Sequence, residues 1–211
     1  MEVKQNNLIK SLRIQPLIVV VRLENNFFNF SQKKEILFFK IEKLTNFGIK
    51  NIEIGWDSNP EWVNLILEIK KKFKSINIGV ASISSRQSLE TILSLDLNYS
   101  MSPFFNKETH ITAIKYNQLV IPGISNIENF KEAINLGYKI IKIFPASKLG
   151  INFLNELQEL KIKDTFFIGA GGIKSKSLKK LLKSGYDALV IGRELRNQTP
   201  DKDLEIWLKD Y

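Results

Sequence analysis

Three stretches of the chain align without a gap: Gly48 to Trp56 (GIKNIEIGW), Gly137 to Pro145 (GYKIIKIFP) and Gly185 to Arg193 (GYDALVIGR). Each is a glycine followed by an apolar run of the kind that makes a strand. At the fifth position after its glycine the first stretch carries Glu53, the second Lys142 and the third Val190. A charge in the middle of an apolar strand is costly unless it is paired or put to use. An amine kept from water gives up its proton more readily, and the free amine attacks a carbonyl carbon. The iminium so formed draws electrons from the neighbouring C–C bond, and a carboxylate beside it moves the protons. Residue types and spacing therefore point to carbonyl chemistry through a Schiff base. A buried structural ion pair is the other reading of the same two residues.

Such a pair needs elements that bring both side chains into one pocket. Apolar runs alternate along the chain with amphipathic stretches. The predicted strands are Leu17–Val21, Asn51–Ile54, Asn77–Val80, Asn98–Met101, Leu119–Ile121, Lys139–Ile143, Thr165–Ile168 and Ala188–Ile191. Between them lie helical patterns such as KKEILFFKIEKLTNFG and SLKKLLKSG, with apolar residues three and four apart. Many end at a glycine, and several begin with Ser or Asn, as in SNPEW, SSRQS and SNIEN. Eight strands with seven intervening helices, a short N-terminal helix and a C-terminal helix at DLEIWL predict a closed parallel (β/α)8 barrel of the TIM type. An open doubly wound sheet is the runner-up, but the Val20–Asn25 turn lacks the glycines such a sheet places there. The three repeats stand about four and then two units of roughly 23 residues apart, which makes them strands two, six and eight. Even-numbered strands share inward layers, so Glu53 and Lys142 are expected to face each other inside the C-terminal mouth.

Composition narrows the classes. The 211 residues are read as one domain, 1–211. There is no cysteine, which removes disulfides and thiolate chemistry. A single histidine, His110, removes a polyhistidine zinc site, and no metal is expected. His110 sits in a polar helix start, FFNKETHITAIK, and reads as a surface or cap residue. The formal charge of +9 is spread over every helix and is read as a solvated surface. No nucleic-acid motif is present. No apolar run reaches the roughly 18–20 residues of a membrane span. The first residues do not read as a secretory signal, so a cytoplasmic protein without membrane or nucleic-acid partners is expected.

Lys142-Ile-Phe-Pro-Ala146, with Gly150 and Phe153 downstream, resembles the Schiff-base segment of the KDPG/KHG aldolases. The resemblance runs in order along nearly the whole chain. It takes in Pro16–Arg22, Ile52–Ile54, Ile78–Ser82, Ser102-Pro103, Ile121–Gly123, Lys142–Ala146, Gly171–Ile173 and Gly192. It implies a class I aldolase that cleaves a 2-oxo acid, such as 2-dehydro-3-deoxy-6-phosphogluconate or 4-hydroxy-2-oxoglutarate, to pyruvate and an aldehyde. No cofactor is implied, and a homotrimer is. By that resemblance Lys142 forms the Schiff base and Glu53 is the general acid/base. Arg22 and Ser82 help hold the substrate carboxylate, and Pro103, Pro122 and Phe144 shape the pocket. Gly171, Gly172 and Gly192 build a phosphate site. Read without the resemblance, the prolines rigidify loops, Ser82 caps a helix and the glycines are turn residues.

The chain departs from the family pattern around the pair. Glu-x-Thr-x-Arg becomes Glu53-Ile54-Gly55-Trp56-Asp57, so an acid stands where the family carries a cation. Arg193 follows Gly192 where a small residue is common, and either grips a phosphate or fills its site. Weak or altered activity on the phosphogluconate is therefore expected. Two other readings stay open. One is a barrel isomerase or synthase acting on sugar phosphates, which activity after exhaustive chelation would separate. The other is a degenerate, non-catalytic barrel that binds a small acid. Trp62 and Phe27-Phe28 are the candidate interface residues.

Overall fold

A computed structural model describes residues 1–23, 29–162, 164–192 and 201–209. Helix α1 (Glu2–Ile14) comes first. The strands are β1 (Leu17–Val21), β2 (Asn51–Gly55), β3 (Asn77–Ala81), β4 (Tyr99–Met101), β5 (Val120–Ile121), β6 (Gly123–Ile124), β7 (Ile140–Ile143), β8 (Phe166–Ala170) and β9 (Ala188–Ile191). Every ladder between them is parallel, in the order β5-β4-β3-β2-β1-β9-β8-β7-β6. The two ends of that order are halves of one segment divided at Pro122. β5 pairs with β4 and β6 pairs with β7, so the segment closes the sheet into a TIM-like barrel. Proline has no N–H for the ladder, which explains the division. The Gly123 N–H turns instead to the Ser102 hydroxyl at 3.3 Å.

The helices pack outside the barrel: α2 (Phe30–Asn46), α3 (Trp62–Lys72), α4 (Arg86–Leu93), α5 (Lys107–Lys115), α6 (Ile127–Asn135), α7 (Ala146–Glu159), α8 (Leu178–Lys183) and α9 (Lys202–Leu208). The glycines of the repeat stop helices, as expected. Gly48, Gly137 and Gly185 have φ of +86°, +85° and +109°. The next residue's N–H reaches back five positions in each case: Ile49 to Leu44 at 3.0 Å, Tyr138 to Ala133 at 3.2 Å and Tyr186 to Leu181 at 3.4 Å. This is the Schellman arrangement, which needs a left-handed residue. α5 ends the same way, with Asn117 in the glycine's place at φ +53° and Gln118 bonded to Ala113.

Starts are less uniform. Ser85 and Asn126 cap α4 and α6 with their side chains, as read. The SNPEW start does not cap α3, which has no side-chain cap bond. There the Asn59 side chain accepts from the Glu61 N–H and Asp57 accepts from the Asn59 N–H. Helix α1 and the Gln15 that ends it cover the N-terminal end of the barrel through two buried glutamines. Gln5 donates to the Gly137 carbonyl and accepts from the Lys139 N–H, and Gln15 donates to the Gly48 carbonyl and accepts from the Lys50 N–H. Polar groups of adjoining backbone are thereby satisfied where the apolar face of Leu8 and Leu12 seals the core.

Candidate active site

Glu53 and Lys142 sit mid-strand on β2 and β7, with 2 % and 6 % of their surface exposed. Parallel strands are covered on both faces, so these are the costly positions anticipated from the repeat. The Lys142 N–H donates to the Pro122 carbonyl at 3.0 Å, and its residue pairs in register with Gly123 and Ile168. Its ammonium nitrogen lies 5.4 Å from the centre of the Phe144 ring. Glu53 pairs with Val20 and Gly79, and its Oε1 is buried without a hydrogen-bond partner.

The two groups sense each other. Burial lowers Lys142 to about 8; the Glu53 carboxylate opposes the fall and the Arg22 guanidinium adds to it. Burial raises Glu53 to about 7, with Lys142 and then Arg22 pulling it back. Both groups thus change protonation state near neutrality, which suits a nucleophilic amine and a proton shuttle.

Arg22 follows β1 and lies across the end of β2. A Cβ on Gly55 would stand 2.6 Å from Arg22 Cγ, and one on Gly192 would stand 3.5 Å from Arg22 Nη1. Arg22 therefore fills the space over Gly55, where the family pattern carries a threonine side chain. Phe144 packs against Gly171: a Cβ there would be 2.8 Å from its ring. Pro145, Phe144 and Gly171 adjoin the Gly172–Ser147 contact, and the Ser147 N–H donates to the Gly171 carbonyl at 3.1 Å. Gly171 and Gly172 have φ of +92° and +72°, so conformation and packing against Phe144 and Ser147 both require glycine there. The Pro103 carbonyl would be 2.5 Å from a Cβ on Gly123, which puts the Pro103 and Pro122 loops beside Lys142. Arg22, Glu53, Lys142, Pro103, Pro122, Phe144, Gly171, Gly172 and Gly192 thus share the C-terminal mouth. Ser82 follows β3 at the same end with φ +71°, a left-handed serine; the cap of α4 is Ser85. Arg193 lies outside the described residues.

A model of the family described as KDPG and KHG aldolase matches residues 8–205. The chain belongs to that family. A 2-dehydro-3-deoxy-6-phosphogalactonate aldolase of Escherichia coli K12 is 23 % identical over 150 residues, 70 % of this chain and 72 % of the relative. Two solved structures share the fold. The KDPG aldolase of Legionella pneumophila, with pyruvate captured as a covalent carbinolamine, has a TM-score of 0.73 at 21 % identity, covering 92 % of this chain and 91 % of the other. The 2-keto-3-deoxy-6-phosphogluconate aldolase of Zymomonas mobilis ATCC 29191 has a TM-score of 0.77 at 20 % identity, covering 96 % and 95 %.

Three expectations need correction. His110 is not at the surface: it is fully buried, stacked on Phe105 with centroids 5.0 Å apart and edge-on to Tyr138 at 5.5 Å. Its Nε2 is 3.3 Å from Ser102 Oγ and its Nδ1 is 2.7 Å from the Asn106 carbonyl. Burial lowers it to about 4, so it is neutral near pH 7. Trp62 is buried and donates its indole N–H to the Gly55 carbonyl at 3.1 Å, so it offers no interface. Phe27 and Phe28 lie outside the described residues. The SNPEW cap is the third. Sequence reading passed over Tyr99, and it noted Gly55, Gly79 and Gly123 only as motif positions, whereas their importance lies in cross-strand contact. No helix among the described residues is long and apolar enough to cross a membrane.

Proposed function

We propose that this family member is a class I, pyruvate-forming aldolase working through a Schiff base on Lys142. The observation that carries the reading is the buried pair of Glu53 and Lys142, each shifted toward neutrality and each acting on the other. The free Lys142 amine adds to the C2 carbonyl of a 2-oxo acid and gives a carbinolamine. Glu53 protonates the departing hydroxyl, water leaves and an iminium remains. A carboxylate then takes the proton from the C4 hydroxyl, the C3–C4 bond breaks and its electrons flow to the iminium. An aldehyde departs, and the enamine is protonated at C3 and hydrolysed to pyruvate and free Lys142. In this reading Arg22 and Ser82 hold the carboxylate, while Pro103, Pro122 and Phe144 wall the pocket. Gly171, Gly172 and Gly192 adjoin the far end of the substrate, and Arg193, next in sequence, lies outside the described residues. The relatives named above act on, or hold, compounds of this class, which supports the assignment.

The test is to incubate the protein with pyruvate and sodium borohydride and locate the adduct by peptide mass spectrometry. A reduced pyruvyl adduct on Lys142, missing from Lys142→Ala, is the expected result. No adduct on a folded protein would sink the proposal. The altered shell around the pair, with Gly55 and Asp57 in place of threonine and arginine, favours a substrate other than the phosphogluconate. Cleavage rates for that compound and for its unphosphorylated analogue are expected to be comparable. A strong preference for the phosphorylated compound in steady-state assays would refute that.

A further inference from the structure

Among the buried polar groups of the barrel that the proposed reaction does not use, one stands in register with Glu53 across Gly79. Tyr99, on β4, is fully buried, and its hydroxyl has no hydrogen-bond partner. The same is true of Oε1 of Glu53. Other side-chain atoms among the described residues share that condition, but these two stand at one register of one inward layer and call for a common explanation.

They are on one layer by register. Glu53 pairs with Gly79, and Gly79 pairs with Tyr99. In-register residues of neighbouring parallel strands face the same side of the sheet. The phenol lies over Gly79: a Cβ there would stand 2.6 Å from Cε2 and 2.8 Å from Cε1 of Tyr99, and would collide with Cζ as well. The far end of the ring therefore stands over β3. Glu53 stands on the next strand at the same register, and its charge acts on the phenol. Glycine at 79 is what leaves room for the ring.

We propose that Tyr99 is a positioning residue for Glu53: its hydroxyl donates to a buried water that in turn donates to the Glu53 carboxylate, and this bridge sets where Glu53 changes protonation state. The functional consequence rests on Glu53 being the proton-transfer group of the proposed reaction; the bridge itself does not.

The chemistry of the two groups fits. Burial and then the Glu53 charge hold the phenol well above its usual range, so it stays a neutral donor throughout the working pH. A neutral donor acts on a carboxylate by hydrogen bonding to its charged form, which lowers the carboxyl's pKa. Buried water typically bridges polar atoms left unsatisfied by the fold. The other groups acting on Glu53 are Lys142 from β7 and Arg22 from the end of β1; β3, between Glu53 and Tyr99, presents only Gly79. Removing the Tyr99 hydroxyl therefore leaves Glu53 with its two cations but without its neutral donor.

The test is a titration that does not depend on catalysis. Glutamate is labelled with carbon-13 at the side-chain carboxyl, and the Glu53 signal is assigned by its loss in Glu53→Gln. In Tyr99→Phe, which keeps the ring and its packing, the Glu53 midpoint is expected to rise by about half a pH unit or more. An unchanged midpoint overturns the proposal. A second measurement covers the case in which Tyr99→Phe does not fold. With carbon-13 at the tyrosine Cζ, the Tyr99 signal of the unsubstituted protein must step at the Glu53 midpoint and lose that step in Glu53→Gln. Absence of the step also overturns the bridge. If the midpoint moves but borohydride traps no pyruvate, the bridge stands and the aldolase reading fails.

Discussion

At the scale of the residue, the buried Glu53–Lys142 pair carries a cost in stability that depends on pH. Folding lowers Lys142 from 10.5 to about 8, so the folded state resists the lysine's proton. That penalty is full below about pH 8 and fades as the pH rises toward the unfolded value. Glu53 is raised from 4.5 to about 7, so its contribution is present below 4.5 and is lost as the pH rises through 7. Below pH 7 the ammonium therefore faces a largely neutral carboxyl. Lys142→Met is expected to stabilise the fold there by on the order of 1 kcal/mol, since apolar replacement of a poorly compensated buried charge is often stabilising. The gain should shrink above pH 7, where Glu53 is charged and loses its partner in the variant. Urea unfolding at pH 6 and pH 8 measures both; a less stable variant at pH 6 would contradict the account.

At the scale of the element, glycines do two different jobs, and substitution separates them. Gly137 has φ +85° and nothing within 4 Å of an added Cβ, so its only constraint is conformation. Gly137→Ala should cost about 1 to 2 kcal/mol, the penalty of a left-handed alanine. Gly123 has no such φ, but a Cβ there would meet the backbone oxygens of Pro103 and Ser102 at 2.5 and 2.7 Å. Those atoms belong to the strand ends that carry the pocket and do not swing aside. Gly123→Ala should cost on the order of 3 kcal/mol, the upper end of overpacking. It should also disturb Lys142, its register partner. Thermal unfolding that ranked the two in the opposite order would reject this division.

At the scale of the whole molecule, the formal charge of +9 has no single focus. Long-range attraction of anionic substrates is consequently weak next to the local field of Arg22 and Lys142 at the mouth, and salt screens the surface term. We propose that the chain forms the homotrimer that its sequence resemblance implies, on a surface other than Trp62. Among the described residues Phe104 and Ile111 are large apolar side chains left exposed, 52 % and 47 %, on neighbouring parts of the β4–α5 unit. Light scattering is expected to return three times the 24.3 kDa chain mass, and a monomer at micromolar concentration would reject the assembly.

Much of this was legible in the sequence because it depends on periodicity and local backbone chemistry. The repeat placed Glu53 and Lys142 at equal offsets, and equal offset in like strands means equal facing. Helix-ending glycines at 48, 137 and 185 announced left-handed residues that the structure shows. Local context failed where the neighbours in sequence face elsewhere. His110 follows Asn106, Lys107 and Glu108, which point to water, yet one turn further its ring enters the core between Phe105 and Tyr138. Trp62 reads as a surface aromatic because its partner, the Gly55 carbonyl, ends a different element. Tyr99 reads only as a strand residue. That its ring lies over Gly79 at the register of Glu53, and that Arg22 lies over Gly55, are matters of register between strands distant in the chain. Sequence alone determined the barrel, its repeat and the two buried titratable groups on its strands, because pattern and φ are local. Tertiary structure alone decided what surrounds them, because contact across a parallel sheet is set by how strands far apart in sequence align.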